Sequence, residues 1–279
     1  MDISVVVTHY RSPEILQMGL AYLYAWKTQY EQERGVGTVE VIVSDSATIA
    51  ATGAMMEEYY PHTTLLTEPK NIGYGKLVNR GVAHAKGELI FIMNADIVIA
   101  HPEELTKLID YVREHEEIGI AGPQLMNFDN SHQPSAFRYY TPLTIILRRT
   151  FLGKTPWGKN KIATFTMKDC EKLRKEPTPV DWLMGSALLT RKKYLDRVGV
   201  FDERFFMYME DVDLCRRFWE ANLKVMYYPL ASMYHFHGKA SRSRYPFLAP
   251  LLNKYARIHL ASGYKYFRKH GIRQPKYGI

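Results

Sequence analysis

Two adjacent carboxylates, Glu210 and Asp211, follow an apolar and aromatic stretch of the chain. Imidazoles follow about two dozen residues later, at His235 and His237, and another carboxylate, Asp96, ends an apolar run far upstream. A carboxylate can remove a proton in a reaction or bind a hard cation, and an imidazole is a common ligand of divalent metals. These residue types together predict a metal-assisted transfer reaction.

Each of these groups also has an ordinary structural explanation. Asp96 could cap a helix, and Glu210 with Asp211 could be first-turn carboxylates that the helix dipole favours. The histidines could be hydrogen-bonded core or surface residues, and Asp45, which also ends an apolar run, could begin a turn. The joint occurrence of these residues in this order favours a functional site.

Strands and helices alternate along the part of the chain that must position these residues. Apolar runs rich in β-branched residues predict strands at 3–8, 39–44, 64–67, 88–93, 118–122, 180–189 and 225–228. Helical patterns begin near residues 12, 76, 103, 192 and 210. This alternation predicts an α/β fold with a mainly parallel, Rossmann-like sheet covered by helices. Ligands bind beyond the carboxyl ends of such strands, so we expect Thr8, Asp45 and Asp96 to share one crevice.

The middle of the chain, 127–179, is less regular. Its strings Phe137-Arg-Tyr-Tyr-Thr-Pro142 and Lys154-Thr-Pro-Trp-Gly158 suggest loops, and we expect a mobile insertion that faces an acceptor.

The positive charge of the chain is concentrated at its end. From Ala221 to Ile279 there are eleven Lys or Arg residues and no Asp or Glu, whereas the first 220 residues carry 26 basic and 29 acidic residues, a net charge of −3. From Pro246 onward apolar residues recur at helical spacing, with basic residues on another face. The apolar residues are Leu248, Leu251, Leu252, Tyr255, Ile258 and Tyr266, and the basic ones are Lys254, Arg257, Lys265 and Arg268. Such a basic amphipathic helix could lie on an anionic membrane, or pack on the domain with its basic face in water.

Composition and missing motifs exclude several classes of protein. With 279 residues, the chain can form one large domain, and no apolar run reaches the roughly 18 to 20 residues of a membrane span. The N-terminus lacks the features of a signal peptide, and two cysteines cannot form a disulfide framework, so a reducing cytosol is expected. The nicotinamide fingerprint, the P-loop, the serine-hydrolase elbow and the His-Glu-x-x-His helix are absent from the sequence.

Several strings of residues resemble motifs of one enzyme family. They are Val6-Val-Thr8-His-Tyr10, Ser44-Asp45-Ser46, Asn71-Ile-Gly73-Tyr74-Gly75-x-x-x-Asn79-x-Gly81, Met93-Asn94-Ala95-Asp96, Asp181-Trp182-Leu-Met-Gly185-Ser-Ala187 and Val198-Gly199-x-Phe201-Asp202-Glu203-x-Phe205-Phe206-Met-Tyr208-x-Glu210-Asp211-Val-Asp213-Leu214. From about Ile3 to Ser241 the chain resembles inverting family-2 glycosyltransferases with the GT-A fold, and among them the bacterial rhamnosyltransferase-like group.

The resemblance implies a domain organisation and a set of site residues. A GT-A domain at 1–241 would comprise a nucleotide-sugar half at about 1–125 and an acceptor half at 126–241, followed by a basic helical extension at 242–279. Asp45 would contact the nucleobase, and Asp211 would be the general base, a role that Glu210 could share. The implied donor-binding residues are Thr8, Tyr10, Asp45, Asn71, Gly73, Asn79, Asn94, Ala95 and Asp96; the acceptor-binding residues are Arg138, Trp182 and Gly185; and the metal ligands are Asp96 with His235 or His237. Asn94 stands where the Asp-x-Asp element of the family has its first Asp.

The resemblance also implies a reaction and its setting. An inverting transfer from a nucleotide-diphospho sugar is expected, with dTDP-rhamnose preferred over UDP- or GDP-sugars and with Mn²⁺ or Mg²⁺ as the cation. The acceptor would be a saccharide in cell-wall or surface-polysaccharide synthesis. The basic C-terminal segment suggests an acceptor at a membrane, such as a polyprenyl-diphosphate-linked saccharide. We expect a cytoplasmic enzyme peripheral on the inner face of the membrane, able to form a homodimer and without a nucleic-acid partner.

Two alternatives come from other functional classes. A sugar nucleotidyltransferase should carry a Gly-rich loop for the triphosphate, and Thr8-His-Tyr-Arg-Ser is poor in glycine. A protein that binds an anionic polymer should spread basic and aromatic residues across one face, whereas the basic excess here is terminal.

Overall fold

A computed structural model of the chain describes residues 1–236 and 253–275. Its strands are β1 (Ile3–Tyr10), β2 (Val39–Ser46), β3 (Thr64–Glu68), β4 (Leu89–Asn94), β5 (Ile97–Val98), β6 (Ile118–Met126), β7 (His132–Gln133), β8 (Ala136–Phe137), β9 (Thr178–Pro179), β10 (Trp182–Leu183), β11 (Ala187–Arg191) and β12 (Lys224–His235). Its helices are α1 (Pro13–Arg34), α2 (Ala50–Tyr59), α3 (Tyr74–His84), α4 (Pro102–Glu114), α5 (Pro142–Arg149), α6 (Pro156–Phe165), α7 (Lys192–Val198), α8 (Glu210–Glu220) and α9 (Lys254–His270). Short 3₁₀ turns cover Phe151–Lys154 and Glu171–Arg174.

The main sheet has the strand order β3-β2-β1-β4-β11-β6-β12-β5. The pairs β1–β2, β1–β4, β2–β3 and β6–β12 are parallel, and β11 runs antiparallel to its neighbours β4 and β6. The predicted α/β fold with a mainly parallel sheet is therefore confirmed.

Strand β1 shows why this sheet is covered on both faces. Its side chains alternate in direction, so Val5 and Val7 pack with α1 on one face, while Val6 packs with α3 on the other. All three valines are buried, which explains why the strand is a continuous apolar run.

Parallel pairing also brings three strand ends to one edge of the sheet. Thr8 on β1 lies opposite Asn94 on β4, and His9 lies opposite Asp45 on β2. Side chains that follow these positions in the sequence therefore emerge close together.

The sequence suggested loops at 137–142 and 154–158. Residues 138–141 are outside helices and strands, as predicted, whereas 154–158 contains the start of α6, so the second prediction was wrong. The Thr-Pro pairs begin α5 and α6: the Thr141 hydroxyl accepts from Thr144 N and the Thr155 hydroxyl accepts from Gly158 N, each at 3.1 Å. Each proline stands at the first helical position, where its missing N–H costs nothing.

The helix α9 packs against the domain. Its His259, Ser262 and Tyr266 are buried, and its His270 bonds Asp213 of α8 at 2.7 Å. For Lys254–His270 the structure thus shows the alternative in which the helix packs on the domain. The predicted start of this helix near Pro246, with Leu248, Leu251 and Leu252, lies outside the described residues. In 1–236 and 253–275 no helix has the length and apolar content needed to cross a bilayer.

Candidate active site

A cavity of about 440 Å³ opens beside the ends of β1 and β4. It is lined by Thr8, His9, Tyr10, Ser12, Ile15, Ser46, Asn71, Gly73, Tyr74, Leu77, Asn94, Ala95, Asp96, Met207, Phe236 and Tyr255. We call it the strand-end cavity. Of the predicted donor-binding residues, the lining includes all except Asp45 and Asn79.

Asp96 and His235 come together at one side of this cavity. His235 Nε2 lies 3.4 Å from Asp96 Oδ1, and Nδ1 lies 3.1 Å from Gln133 Oε1. Because an amide oxygen only accepts, Nδ1 donates to Gln133, and in a neutral ring the Nε2 lone pair faces Asp96. The backbone fixes this pair, since Phe236 N donates to Asp96 O at 3.0 Å.

This pair has the chemistry of a divalent-cation site. Carboxylate oxygen and imidazole nitrogen both bind Mn²⁺, and a ligating histidine usually donates its other N–H to an oxygen, as His235 does to Gln133. Residues 1–236 and 253–275 contain no cluster of three metal-ligating side chains, and His237 lies outside these residues. The described residues thus fit a cation that takes its remaining ligands from a bound diphosphate or water.

Asp45 does not share the crevice with Thr8 and Asp96. Its side chain is fully buried, and Oδ1 accepts from His9 Nδ1 at 2.8 Å. The His9 ring is fixed because Nε2 accepts from Ser12 N at 3.0 Å, so His9 is neutral with its proton on Nδ1. Within the described residues Asp45 Oδ2 has no hydrogen-bond partner, although it is buried.

Asn79 and Gly73 contact the segment 201–206, which precedes α8. The Asn79 side chain bonds both the N–H and the carbonyl of Phe201, at 2.9 and 2.8 Å, which places it outside the strand-end cavity. Gly73 has φ +88°, and a Cβ there would lie 2.5 Å from Phe206 O. Only glycine permits this conformation and this close approach, which Tyr74 N completes by donating to Phe206 O at 2.9 Å.

The backbone just before Glu210 is strained. Tyr208 and Met209 both have positive φ, 69° and 68°, a left-handed conformation that costs non-glycine residues free energy. Such strain persists only where surrounding contacts impose it, and it is common at functional sites. Here it sets the direction in which Glu210 and Asp211 leave the start of α8.

Asp211 is oriented by two backbone amides. Gly185 N donates to Oδ2 at 3.2 Å, and Val212 N donates to Oδ1 at 2.9 Å. Burial raises the pKa of Asp211 to about 6, although both amides act in the opposite direction. A carboxylate with this pKa is ionised at neutral pH and is a stronger base than an ordinary aspartate.

Glu210 has a different environment from its neighbour. It is buried, and its Oε2 has no hydrogen-bond partner in the described part of the chain. Burial, and then repulsion from the charge of Asp211, raise the pKa of Glu210 well above its usual value. Glu210 therefore holds its proton more tightly than Asp211, and of the two carboxylates Asp211 is the better placed to accept one.

Tyr74 lies between the strand-end cavity and Asp211, and sequence reasoning missed its role. It lines the cavity, and its hydroxyl donates to the carbonyl of Gly185, the residue whose N–H bonds Asp211. Burial, followed by the negative charges of Glu210, Asp211 and Asp96, holds its pKa well above 10.0. The available signal was its place in the string from Asn71 to Gly81.

The predicted acceptor residues divide into two groups. Gly185 donates its N–H to Asp211, as described, and a Cβ there would lie 3.2 Å from the Tyr74 ring. Trp182 is buried and stacks on Phe137 with ring centroids 4.3 Å apart, and its indole N–H donates to Arg138 O at 2.8 Å. The Arg138 guanidinium lies 3.7 Å from the Asp181 carboxylate. Neither Trp182 nor Arg138 is among the residues that line the strand-end cavity.

Other cavity residues come from distant parts of the chain. Met207, Phe236 and Tyr255 line one cavity with the end of β1, although none of them was among the predicted donor-binding residues. Tyr255 belongs to α9, so the C-terminal helix contributes to the cavity wall.

Comparison with known sequences identifies relatives of the chain. The model of Glycosyl transferase family 2 matches residues 4–175. The N-acetylglucosaminyl-diphospho-decaprenol L-rhamnosyltransferase of Mycobacterium tuberculosis is 34% identical over 220 residues, which cover 75% of this chain and 69% of the relative. Rhamnosyltransferase WbbL of Escherichia coli is 28% identical over 211 residues, covering 72% of each chain.

Solved structures share the fold at low sequence identity. GalNAc-T7, solved with UDP, GalNAc and Mn²⁺, has a TM-score of 0.63 at 14% identity, covering 100% of this chain and 52% of its own. TarS of S. aureus has a TM-score of 0.57 at 18% identity; the alignment covers 84% of this chain and only 36% of TarS. These similarities establish a GT-A-like fold. The sequence matches favour a glycosyltransferase over the nucleotidyltransferase and polymer-binding alternatives. The chain belongs to glycosyl transferase family 2.

Proposed function

We propose that the chain transfers L-rhamnose, with inversion, from dTDP-rhamnose to a polyprenyl-diphosphate-linked saccharide in cell-wall or surface-polysaccharide synthesis. The observation that carries this proposal is the arrangement around Tyr74. Tyr74 lines the strand-end cavity, beside which lies the Asp96–His235 pair. Its hydroxyl donates to the carbonyl of Gly185, and the N–H of Gly185 donates to Asp211. Sugar and acceptor class are supported by the M. tuberculosis relative, whose name specifies both.

The donor would occupy the strand-end cavity. Asp96 and His235 would hold Mn²⁺ or Mg²⁺, which when bound neutralises charge on a leaving nucleoside diphosphate. A nucleobase N–H that reached Asp45 Oδ2 would supply the hydrogen bond that this buried oxygen lacks among the described residues. The boundary near residue 125 between a donor half and an acceptor half is part of the same proposal.

Asp211 would act as the general base of a single displacement. Its carboxylate takes the proton of the acceptor hydroxyl while the hydroxyl oxygen bonds the anomeric carbon. The bond from that carbon to the diphosphate oxygen breaks at the same time, and the nucleoside diphosphate leaves with the electron pair. Because attack and departure occur on opposite faces of the sugar, the configuration inverts without a covalent enzyme intermediate.

A lipid-linked acceptor implies where this enzyme would work. Such an acceptor is anchored in a bilayer, so we expect the enzyme to act as a peripheral protein on the inner face of the membrane. Formation of a homodimer, and membrane contact by the basic face of α9, remain predictions.

A donor screen tests the proposal. The purified chain is mixed with dTDP-, UDP- and GDP-sugars, with and without Mn²⁺, and its melting temperature is measured, since a ligand of the native state raises it. We expect dTDP-rhamnose with Mn²⁺ to give the largest increase and to rhamnosylate N-acetylglucosaminyl-diphospho-polyprenol. Transfer from only a UDP- or GDP-sugar would show that this sugar nucleotide, and not dTDP-rhamnose, is the donor. The absence of transfer from every donor would overturn the proposal.

A further inference from the structure

Five large apolar side chains are exposed between residues 143 and 157, and we call them the apolar platform. They are Leu143, Ile146, Phe151, Leu152 and Trp157, and between 39% and 60% of each is exposed. A short stretch of a globular surface rarely presents so many large apolar groups without a partner for them.

The platform is carried by a compact unit. The helices α5 and α6 and the 3₁₀ turn between them pack against one another. A Cβ at Gly153 would lie 2.1 Å from Leu147 O, and one at Gly158 would lie 2.0 Å from Leu152 O, so both glycines permit close backbone packing. Leu143 and Ile146, three residues apart, share one face of α5, whereas Leu147 is buried.

Positive charge surrounds the platform. Residues 130–168 contain seven Lys or Arg residues and no Asp or Glu. Lys154, Lys159, Lys161 and Lys168 are exposed, and none of them forms an ion pair with a residue in 1–236 or 253–275. Exposed apolar and aromatic groups interleaved with lysines are the pattern of a surface that binds anionic lipid.

The inner side of the same unit lies near the proposed base. At Gly263 of α9 a Cβ would lie 3.3 Å from Ile145 Cδ1 and 3.7 Å from Met209 Cε. Ile145 is on α5, and Met209 immediately precedes Glu210. A bilayer that covered the outer face of α5 would therefore lie close to the start of α8.

The helix α9 is less available for this contact, because three of its basic side chains already bond to the domain. Lys265 donates to Arg204 O at 2.7 Å, Lys269 pairs with Asp202 at 2.7 Å, and His270 bonds Asp213 at 2.7 Å.

We propose that the apolar platform docks on an anionic phospholipid bilayer, with its side chains in the headgroup region and the neighbouring lysines on the lipid phosphates. The inference deepens the proposed function and rests on it in one respect, the lipid-linked acceptor. Docking would hold the start of α8 at the height where the diphosphate and first sugar of such an acceptor leave the bilayer.

Vesicle binding tests this surface directly. The full chain is sedimented with vesicles of equal parts phosphatidylglycerol and phosphatidylcholine, and compared with the double variant Phe151→Ser, Trp157→Ser. We expect the partition coefficient to fall at least about tenfold, because two aromatic side chains that would enter the headgroup region are lost. The matched control is Tyr59→Ser, Leu230→Ser, which removes two apolar groups of similar exposure elsewhere and should bind like the unchanged chain.

The lysines have their own control. Changing Lys154, Lys159 and Lys161 to Gln should weaken binding about a hundredfold to the anionic vesicles, at about fivefold per charge, and leave binding to pure phosphatidylcholine unchanged. The same change at Lys70, Lys86 and Lys175, which are exposed and form no ion pair with a residue in 1–236 or 253–275, serves as the matched control. Equal binding by platform and control variants overturns the inference, as does loss of binding only in an Arg257→Gln, Arg268→Gln variant of α9.

Two further measurements separate this inference from the proposed function. Sedimentation velocity shows whether the platform variants instead dissociate a dimer, which would identify a second copy as the occupant and overturn the proposal. Transfer to a short-chain, water-soluble acceptor should be unchanged in the platform variants, whose folding is checked by their melting temperature. Transfer without platform-dependent vesicle binding refutes the docking surface alone, and platform-dependent binding without any transfer refutes the proposed function alone.

Discussion

Replacing Asp211 with Asn should make the protein more stable at alkaline pH, even though it removes the proposed base. Burial raises the pKa of Asp211 to about 6 from a usual value of 3.8. The folded state therefore binds this proton more tightly than the unfolded chain does. The stability from this preference is fully present below about pH 4 and is lost as the pH rises through about 6.

The expected size follows from the two pKa values. Each pKa unit corresponds to about 1.4 kcal/mol, so ionised Asp211 costs the folded state about 3 kcal/mol above pH 6. Asn avoids this cost but loses one of the hydrogen bonds from Gly185 N and Val212 N, worth about 1 kcal/mol. The variant should gain about 2 kcal/mol near pH 8 and lose about 1 kcal/mol near pH 4.

Urea unfolding of both proteins near pH 4 and pH 8 measures this change. Titrating groups far from Asp211 largely cancel in the difference, whereas the pKa of Glu210 falls when the charge of Asp211 is removed. Asp213→Asn on the same helix is the control with the opposite sign. Burial would raise the pKa of Asp213, but its bond to His270 and the charges of Arg217 and Lys269 outweigh burial and lower it. Ionised Asp213 therefore stabilises the folded state at every pH above the usual pKa of an aspartate. Asp213→Asn should lower the free energy of unfolding by about 3 kcal/mol near pH 8.

A stability difference for Asp211→Asn that is independent of pH, or that favours the unchanged protein more strongly at high pH, would refute this reasoning. It would mean that Asp211 is solvated like an ordinary aspartate and that burial does not strengthen it as a base.

Three other predictions follow from the geometry. Protonation of Asp211 should lower the transfer rate about tenfold between about pH 7 and pH 5 at saturating metal, and a pH–rate profile flat over this range would contradict it. Gly185→Ala should reduce kcat by about ten- to a hundredfold with little change in KM for the donor. The alanine Cβ would lie 3.2 Å from the Tyr74 ring and would displace the amide that orients Asp211. Unchanged steady-state kinetics would count against this positioning role. Gln133→Leu should weaken Mn²⁺ binding about ten- to a hundredfold in calorimetry, because the His235 ring loses the acceptor for its Nδ1 proton; equal affinity would argue against His235 as a ligand.

The sheet and much of the cavity were predictable from the sequence because they depend on local pattern. Buried parallel strands are continuous apolar runs, and the carboxyl ends of neighbouring parallel strands share an edge. These two rules predict that Thr8, Asp45 and Asp96 share one crevice. The structure places Thr8 and Asp96 beside one cavity but buries Asp45 away from it.

Other features depend on contacts between distant residues and could not be derived in this way. Asp45 is buried because His9, on the neighbouring strand, accepts a bond from Ser12 and turns its Nδ1 toward the carboxylate. The docking of α9 depends on His270 and Asp213, which are 57 residues apart.

Two features were present in the sequence but were interpreted incorrectly or not used. The string 154–158 suggested a loop, although a capping threonine followed by proline also begins a helix, as Thr155-Pro156 does. Tyr74 belonged to a recognised string, yet only its contact with Gly185 shows that it joins the cavity to Asp211.

The central claim is that Asp211 is the base of a rhamnosyl transfer to a lipid-linked saccharide. Its most direct test incubates the unchanged chain and Asp211→Asn with dTDP-rhamnose, Mn²⁺ and N-acetylglucosaminyl-diphospho-polyprenol, and measures the rhamnosylated lipid by mass spectrometry. We predict that the unchanged chain forms this product, whereas Asp211→Asn binds the donor with similar affinity and forms at least about a hundredfold less. Product formation by Asp211→Asn at the rate of the unchanged chain would contradict the account.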